Sequence, residues 1–381
     1  MTAPPAPCWV GEKAGADRVT FMADIRLTHV SRIFGAFKAV DDITTVFPEG
    51  TVTCLLGPSG CGKTTLMRMI AGLEMPTSGS IAFGDREVTH LAPSKRDVAM
   101  VFQYPVMYRT CSVLENIELP LRRDRSISPA ECRRRADEVL EVLQLSGERH
   151  SHIGDLDIGT RQKVAVGRAI ARRCDVILFD EPTTNVEVHA KLALIRAFKE
   201  FRTRLKQTVI YVTHDQTEAM TLADQIALMQ SGRISQCAPP HVMYDRPESR
   251  FGGWFLGNPG MNFVSPRSRE DGFLRFDVLP AALAYPAAAA GEVSLGIRPE
   301  HVEVLAAAGA DTVPARVVRS SITIGGQNLV SLSVGETKLK AKTAPGTAPE
   351  DGATVFIRCR LEHAVFFNDG LRSAEAVRQA V

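Results

Sequence analysis

Gly57-Pro58-Ser59-Gly60-Cys61-Gly62-Lys63-Thr64-Thr65 carries the spacing Gly-x-x-x-x-Gly-Lys-Thr. An apolar run, Thr51–Gly57, leads into it, and a helical pattern from Thr64 to Ala71 leads out of it. A strand before and a helix after are the context in which this spacing cradles phosphate. Its glycines let backbone N–H groups curl around phosphate oxygens, and the helix N-terminus adds favourable dipole charge. Lys63 then offers a point charge to the β- and γ-phosphates of a nucleotide, and the Thr64 hydroxyl a ligand for Mg2+. The expected phosphate-binding set is Gly57, Ser59, Gly60, Cys61, Gly62, Lys63, Thr64 and Thr65. Cys61, between a helix N-terminus and Lys63, is expected to be the most reactive thiol and to be protected by bound nucleotide.

Two further apolar runs, Val176–Asp180 and Val209–Thr213, read with Thr51–Gly57 as strands buried on both faces. Each stops at a cluster of polar or charged residues, where α/β sheets place their ligands. The first ends in two adjacent carboxylates: Asp180 suits the Mg2+ site and Glu181 suits polarising an attacking water. Alone, an acidic pair at a strand end is more often a solvated loop; with a phosphate loop upstream, the functional reading is favoured. His214 ends the third run and is expected at the same sheet edge.

The 381 residues include 45 basic and 43 acidic side chains, a net charge of +2. That length points to two or three domains. With 45% hydrophobic and 23% charged residues the composition is that of a soluble globular protein, which excludes a disordered or fibrous chain. The near-neutral balance lacks the basic field of a nucleic-acid binder. No stretch approaches the roughly 18 apolar residues of a membrane span. The most apolar one, Ala281 to Ala290, is short and broken by Pro286, so a membrane role would come through protein partners. The eight cysteines form no Cys-x-x-Cys pair, as expected for reduced thiols of a cytosolic protein. Residues 1–21 hold Pro4, Pro5 and Pro7 but no apolar core behind a basic flank, so they do not read as a secretory signal. Periodic structure begins at Met22, and residues 1–21 are expected to be a disordered extension or a mis-called start.

From Ile25 to about Phe263, short apolar runs alternate with helical segments, as in α/β proteins. Ser128 to Leu145 reads as a helix, with Ser128 and Glu131 as a capping box and Pro129 at the first helical position. Its apolar stripe is Cys132, Ala136, Val139, Leu140 and Leu143, and Arg133–Arg135 reads as a solvated face. Beyond Phe263 the helical period gives way to short alternating strands. Val330, Leu332 and Val334 alternate with Ser331 and Ser333; Val355, Ile357, Cys359 and Leu361 alternate with Phe356, Arg358 and Arg360. Lys338, Lys340 and Lys342 share one face of a run that reads as solvent-facing or at a sheet edge. The expected division is 22–263 as an α/β domain and 264–381 as a small all-β domain.

Nearly the whole chain from Met22 resembles the ATPase subunits of ABC importers, in the carbohydrate-uptake group similar to the maltose importer's ATPase. The residues that carry the likeness are the phosphate loop, Val101-Phe102-Gln103, Val176–Pro182 and Tyr211-Val212-Thr213-His214-Asp215. Trp254–Phe263 and Gly296-Ile297-Arg298-Pro299-Glu300-His301 belong with them, the latter resembling an element of that group's C-terminal oligonucleotide-fold-like domain. The resemblance implies ATP and Mg2+ as ligands, with a helical subdomain at about 104–160. It implies Gln103 as a Mg2+ ligand and γ-phosphate sensor, His214 as the γ-phosphate switch, and Phe34 as the aromatic that stacks on adenine. It further implies two transmembrane permease subunits, a second ATPase subunit and, indirectly, a solute-binding protein as partners, at the cytoplasmic face of the inner membrane. Phe102–Tyr108, Arg161-Gln162-Lys163 and Gly257–Asn262 are more similar to the glycerol-importer branch, which makes glycerol or a related polyol the leading solute.

One element departs from the family. Its Leu-Ser-Gly-Gly-Gln signature falls on Leu156-Asp157-Ile158-Gly159-Thr160. In the family the serine and glycine amides clamp the γ-phosphate held by the opposite subunit, so Asp157 would face phosphate with like charge. Ile158 would add a branched side chain where backbone must approach closely. The element after Glu181 reads Thr184-Asn185-Val186-Glu187, where the family ends in Asp. The expectation is an importer ATPase working in a heterodimer with a paralogue, the alternative a catalytically weak regulatory subunit. Soluble ABC ATPases of translation or DNA repair are disfavoured by the single nucleotide domain and the C-terminal β domain. Kinases are disfavoured by the lack of an acceptor-binding lid.

Overall fold

The computed structural model describes residues 23–123, 127–172, 174–184, 186–204, 207–270, 272–284, 291–323, 325–373 and 378–379. The expected N-terminal extension, Met22, Asn185 and the 285–290 part of the alanine run lie outside that set. In chain order the first elements are β1 (Ile25–Phe34), β2 (Phe37–Phe47), β3 (Val52–Leu56), α1 (Lys63–Ala71), β4 (Ser78–Phe83), β5 (Arg86–Glu87) and β6 (Val98–Val101). Then come α2 (Val113–Arg122), α3 (Pro129–Val142), α4 (Ile158–Ala171), β7 (Val176–Asp180) and α5 (Val188–Arg204). β8 (Thr208–Thr213), α6 (Gln216–Leu222), β9 (Gln225–Gln230), β10 (Arg233–Ala238), α7 (Pro240–Asp245) and α8 (Arg250–Phe255) follow.

Six of these strands form one sheet in the order β10-β9-β3-β8-β7-β6, parallel except for β10. A parallel sheet is covered on both faces, which is why β3, β7 and β8 are almost unbrokenly apolar. Alternate side chains divide between two cores. Leu55, Leu178 and Val212 pack with α1 and the antiparallel sheet β2-β1-β4-β5, while Leu56, Phe179 and Tyr211 pack with α4, α5 and α6. All five parallel strands therefore end at one edge, and the loops that leave β3, β6, β7 and β8 are gathered there.

α2 and α3 pack on each other and on α4, between β6 and β7 in the chain. In α3 the Ser128 hydroxyl accepts from the Glu131 amide and Pro129 opens the helix. The reciprocal half of the expected capping box is replaced: the Glu131 carboxylate is bound by Arg134 and Arg135, which holds it low, at about 2. Cys132, Ala136, Val139, Leu140 and Leu143 are all buried. The far end of α1 is tied down by Arg96, whose buried guanidinium donates to the carbonyls of Met69, Ile70, Thr89 and Leu91. These bonds satisfy two of the carbonyls that a helix end leaves unpaired.

The remaining strands are β11 (Asn262–Val264), β12 (Ser268–Glu270), β13 (Phe273–Arg275), β14 (Leu283–Ala284), β15 (Val293–Ile297) and β16 (Val302–Leu305). β17 (Val313–Ile322), β18 (Asn328–Val334), β19 (Thr337–Thr343), β20 (Thr354–Cys359), β21 (Val365–Asn368) and the two-residue β22 (Leu371–Arg372) and β23 (Arg378–Gln379) complete them. They form antiparallel sheets around one core that includes Leu295, Val317, Leu332 and Ile357. β18 alternates as expected, with Val330, Leu332 and Val334 buried. Leu361 does not continue β20; it lies in a 3-10 turn, Leu361–His363. β19 is the edge of the sheet β16-β20-β17-β18-β19, with Lys338 and Lys340 exposed. Lys342 departs from the solvent-facing row: its Nζ lies 3.8 Å from Glu300.

This β unit docks on α7 and α8 through Arg298. The side chain is 2% exposed, donates to the carbonyls of Gly253 (3.0 Å), Leu256 and Tyr244 (2.7 Å), and lies 3.8 Å from the Tyr244 ring centroid. Tyr244 in turn donates its hydroxyl to Glu300. The Gly296–His301 run is thus structural, holding the two parts of the chain together.

Candidate functional site

The loop between β3 and α1 needs its glycines for two reasons. Gly60 and Gly62 have φ of +78° and +105°, conformations that side chains rarely adopt. Gly57 and Gly62 are also pressed on by backbone: a Cβ would lie 2.3 Å from Met229 O at the first and 2.2 Å from Ala39 O at the second. The loop is thus moulded against β9 and β2, and the hairpin that carries Phe34 abuts it through Ala39. Ser59, Gly60 and Thr64 are exposed on its rim. The N-terminus of α1 has no side-chain cap and no acidic residue in its first turn, as an anion site requires. Lys63 is folded over the loop, its Nζ donating to Gly57 O (2.8 Å) and Pro58 O (2.9 Å). Thr65, in the first turn of α1, is half-buried.

Cys61 corrects the sequence reading. It is 4% exposed, part of the core beneath the sheet, with its Sγ 3.8 Å from Lys63 Nζ. A thiol so enclosed is not the accessible, reactive one expected.

Asp180, the last residue of β7, places Oδ1 3.4 Å from Thr64 Oγ1. Burial and the adjacent Glu181 charge push its carboxyl above the usual range, against the Thr64 hydrogen bond. A buried carboxylate held at that cost beside a hydroxyl is a hard oxygen pair, and it fits Mg2+. Gln103 follows β6, whose pairing of Val101 with Phe179 puts it at the edge that carries Asp180. It is half-buried there.

Glu181 sits directly past β7 at φ +43°, an uncommon conformation for a residue with a side chain. Its amide donates to Val212 O (3.0 Å), so the neighbouring strand fixes the turn. Glu181 Oε2 lies 3.2 Å from His214 Nδ1 and accepts from Thr184 Oγ1 (3.1 Å). An ionised carboxylate only accepts, so Nδ1 carries the proton in this contact. Oε1 has no hydrogen-bond partner among the described residues and is free to take a water. His214 is exposed at the rim.

Phe34 ends β1 and is 45% exposed. The Arg32 guanidinium lies 4.4 Å from its ring centroid and pairs with Glu74, so one face of the ring is already covered. A second aromatic would stack on the opposite face.

Leu156–Thr160 is not brought to this cluster: no hydrogen bond or ion pair joins it to the phosphate loop among the described residues. Asp157 is the N-cap of α4, its carboxylate accepting from Thr160 N (2.9 Å) and Thr160 Oγ1 (2.6 Å). Those bonds hold it below the usual carboxylate range. Both oxygens are thereby spent on its own helix, a role the sequence reading did not assign. Ile158 is 57% exposed, Gly159 is buried and Leu156 and Thr160 are half-buried.

Sequence reasoning missed a second layer behind the cluster. Glu218 of α6 is 1% exposed and accepts from Thr183, Tyr211, Thr213 and Lys191. Its one signal was its place in the first turn after Asp215, which reads simply as an acid at a helix N-terminus.

Residues 40–184 match the family described as ABC transporter, and residues 295–367 match the TOBE domain. The chain is 39% identical to the sulfoquinovosyl glycerol transport ATP-binding protein SmoE of Agrobacterium fabrum, over 86% of this chain and 92% of that protein. It is 37% identical to the sn-glycerol-3-phosphate import ATP-binding protein UgpC of Chromobacterium violaceum, over 91% and 95%. Among solved structures it is similar to the ATP-binding cassette MJ0796, a dimer in a post-hydrolysis state bound to ADP and Pi. That match has a TM-score of 0.51 and 27% identity, over 57% of this chain and 98% of that one.

Proposed function

The chain belongs to the ABC transporter ATP-binding subunits of the carbohydrate-importer group, a family of ATPases, and from that premise we propose how it works and with whom. Glu181 accepts a hydrogen bond from water and polarises it toward the γ-phosphate of ATP, while Lys63 and the loop amides balance the phosphate charge. His214 holds the Glu181 carboxylate in line and senses the γ-phosphate. Mg2+, held by Thr64 and Asp180 with Gln103, would neutralise charge on the phosphates when bound. Phe34 carries the adenine. The observation that supports this reading above all is the Glu181–His214 contact of 3.2 Å, one residue past an Asp180 that faces Thr64. The test is Glu181→Gln in the assembled transporter: ATP binding is expected to persist within about threefold and turnover to fall by two or more orders of magnitude, a general base being worth about 10²–10⁴. Unchanged turnover would overturn the assignment.

The partners follow from the same reading. No helix among the described residues is long and apolar enough to cross a membrane. Two permease subunits would carry the solute, with this chain peripheral to them at the cytoplasmic face of the inner membrane and a binding protein acting from the other side. The exposed Phe102, Tyr104, Val106 and Tyr108, just past β6, are the surface we assign to the permeases. The solute is a small carbohydrate or polyol, with glycerol or a glycerol-bearing molecule first, as the names of SmoE and UgpC suggest. Residues 22–263 would be the motor, with its helical part at about 104–160, and 264–381 the regulatory or dimerisation domain.

We assign this chain to a heterodimer with a paralogue. Asp157 is a carboxylate that caps α4 and Ile158 an exposed branched side chain, so a homodimer would present both to each ATP. With an intact partner the phosphate loop, Glu181 and His214 form one competent site, and the partner's ATP meets Leu156–Thr160. Those same two residues favour the second reading, a regulatory subunit of low turnover. Mass measurement of the purified transporter tests the pairing: a fully active complex with two copies of this chain would exclude it.

A further inference from the structure

The catalytic turns leave β7 and β8 just past the last direct backbone contact between those strands, Glu181 N on Val212 O. What lies beneath them is a single carboxylate. Glu218 Oε1 accepts from Lys191 Nζ (2.7 Å) and Thr183 Oγ1, and Oε2 from Thr213 Oγ1 (2.7 Å) and Tyr211 OH (3.2 Å). Four donors nearly exhaust the acceptor capacity of a carboxylate. They come from three pieces of the site: the turn after β7 (Thr183), the end of β8 (Tyr211 and Thr213) and α5 (Lys191). Thr183 is two residues past Glu181, in the turn closed by Thr184 N donating to Glu181 O (3.1 Å). Thr213 immediately precedes His214, and its hydroxyl also accepts from Asp215 N (2.9 Å). Lys191 of α5 reaches both Glu218 and Asp215, the latter at 2.5 Å, while the Asp215 carboxylate caps α6 through the amides of Thr217 and Glu218.

We propose that Glu218 is a positioning residue for ATP hydrolysis, clamping the Glu181 turn to the His214 turn through Thr183 and Thr213. The clamp is buried and shares no atom with the nucleotide pocket, so it acts on the chemistry and not on ATP affinity. Because Lys191 binds Asp215 and Glu218 together, α5 is tied into the same unit. The inference rests on the ATPase reading of the site given above.

The test uses the assembled transporter. Glu218→Gln replaces one acceptor oxygen by a donor among four donors; Thr183→Val, of nearly equal volume, removes one arm only. Turnover is expected to fall about tenfold or more in Glu218→Gln and about threefold in Thr183→Val, with the dissociation constant of a fluorescent ATP analogue within about twofold of wild type. In a His214→Ala background, Glu218→Gln is expected to cost less than about twofold further, since residues acting through one pair are non-additive. A merely structural role would instead weaken binding and turnover together and multiply in both backgrounds; that result overturns the proposal, as does wild-type turnover in either variant. If Glu218→Gln does not fold, Thr183→Val decides the matter alone. A wild-type complex that binds ATP without turning it over would sink the ATPase reading and this inference with it. Active wild type with unaffected variants would sink only the inference.

Discussion

Asp180 is the residue where stability and function pull hardest against each other. Its carboxyl is pushed above the usual range by burial and by Glu181, so ionising it costs the nucleotide-free fold free energy. A folded-state value raised above the unfolded one means that its contribution to stability is present below the unfolded value. That contribution is lost as pH rises through the folded one. Asp180→Asn removes that loss. The expected outcome is a melting temperature higher by about 2–4 °C at neutral pH, equivalent to about 1 kcal/mol, with ATP hydrolysis abolished; thermal melts from pH 4 to 8 without nucleotide check it, and a lower melting point throughout would contradict it. Cysteine labelling gives a second check. Cys61 is enclosed, whereas Cys111 is partly open and Cys237 is exposed with its thiol pushed up to about 11 by packing around the sulfur. A brief iodoacetamide pulse followed by peptide mapping should therefore modify Cys111 before Cys61.

Among the elements, α4 poses the sharpest question, because its N-terminus is both a well-capped helix start and a departure from the family. Ser and Asp are comparable caps, so Asp157→Ser should change stability by no more than about 0.5 kcal/mol. Combined with Ile158→Gly, which removes an exposed side chain at the cost of about 1 kcal/mol in helix propensity, it puts small uncharged groups where the proposed dimer would bring the partner's nucleotide. Turnover of the isolated chain is expected to rise about tenfold or more, the reward for removing a like charge from a phosphate site. Steady-state phosphate release measures it. No rise would mean that the Leu156–Thr160 segment does not limit the homodimer.

Across the whole molecule, the buried Arg298 guanidinium is central to the seam between the α/β part and the β part, which also holds Tyr244 on Glu300 and the backbone pairs Arg250–Gly370 and Arg372–Glu248. Arg298→Met keeps much of the volume but strips three carbonyls of their donor and Tyr244 of its stacked cation. Leaving buried acceptors unpaired costs about 1–3 kcal/mol each before relaxation, enough to uncouple units that each have their own core. Calorimetry is expected to show one unfolding transition split into two, with the first lowered by several degrees; a single transition at the wild-type temperature would contradict the docking role.

The phosphate loop, the three buried strands, the α3 stripe and the β18 alternation were legible because each is a local matter: glycine conformations, side-chain period and caps depend on residues within a few positions of one another. The carboxylate pair at the end of β7 was legible for the same reason. The clamp on Glu218 was not, since Thr183 is 35 positions away and meets it only because β7 and β8 are neighbours in the sheet. Nor was the enclosure of Cys61, which depends on β2 and β9 closing over the loop, nor the grip of Arg298 on carbonyls more than 40 positions earlier. Short-range chemistry announces itself in the order of residues, whereas burial and long-range pairing exist only once the sheet has brought distant segments together.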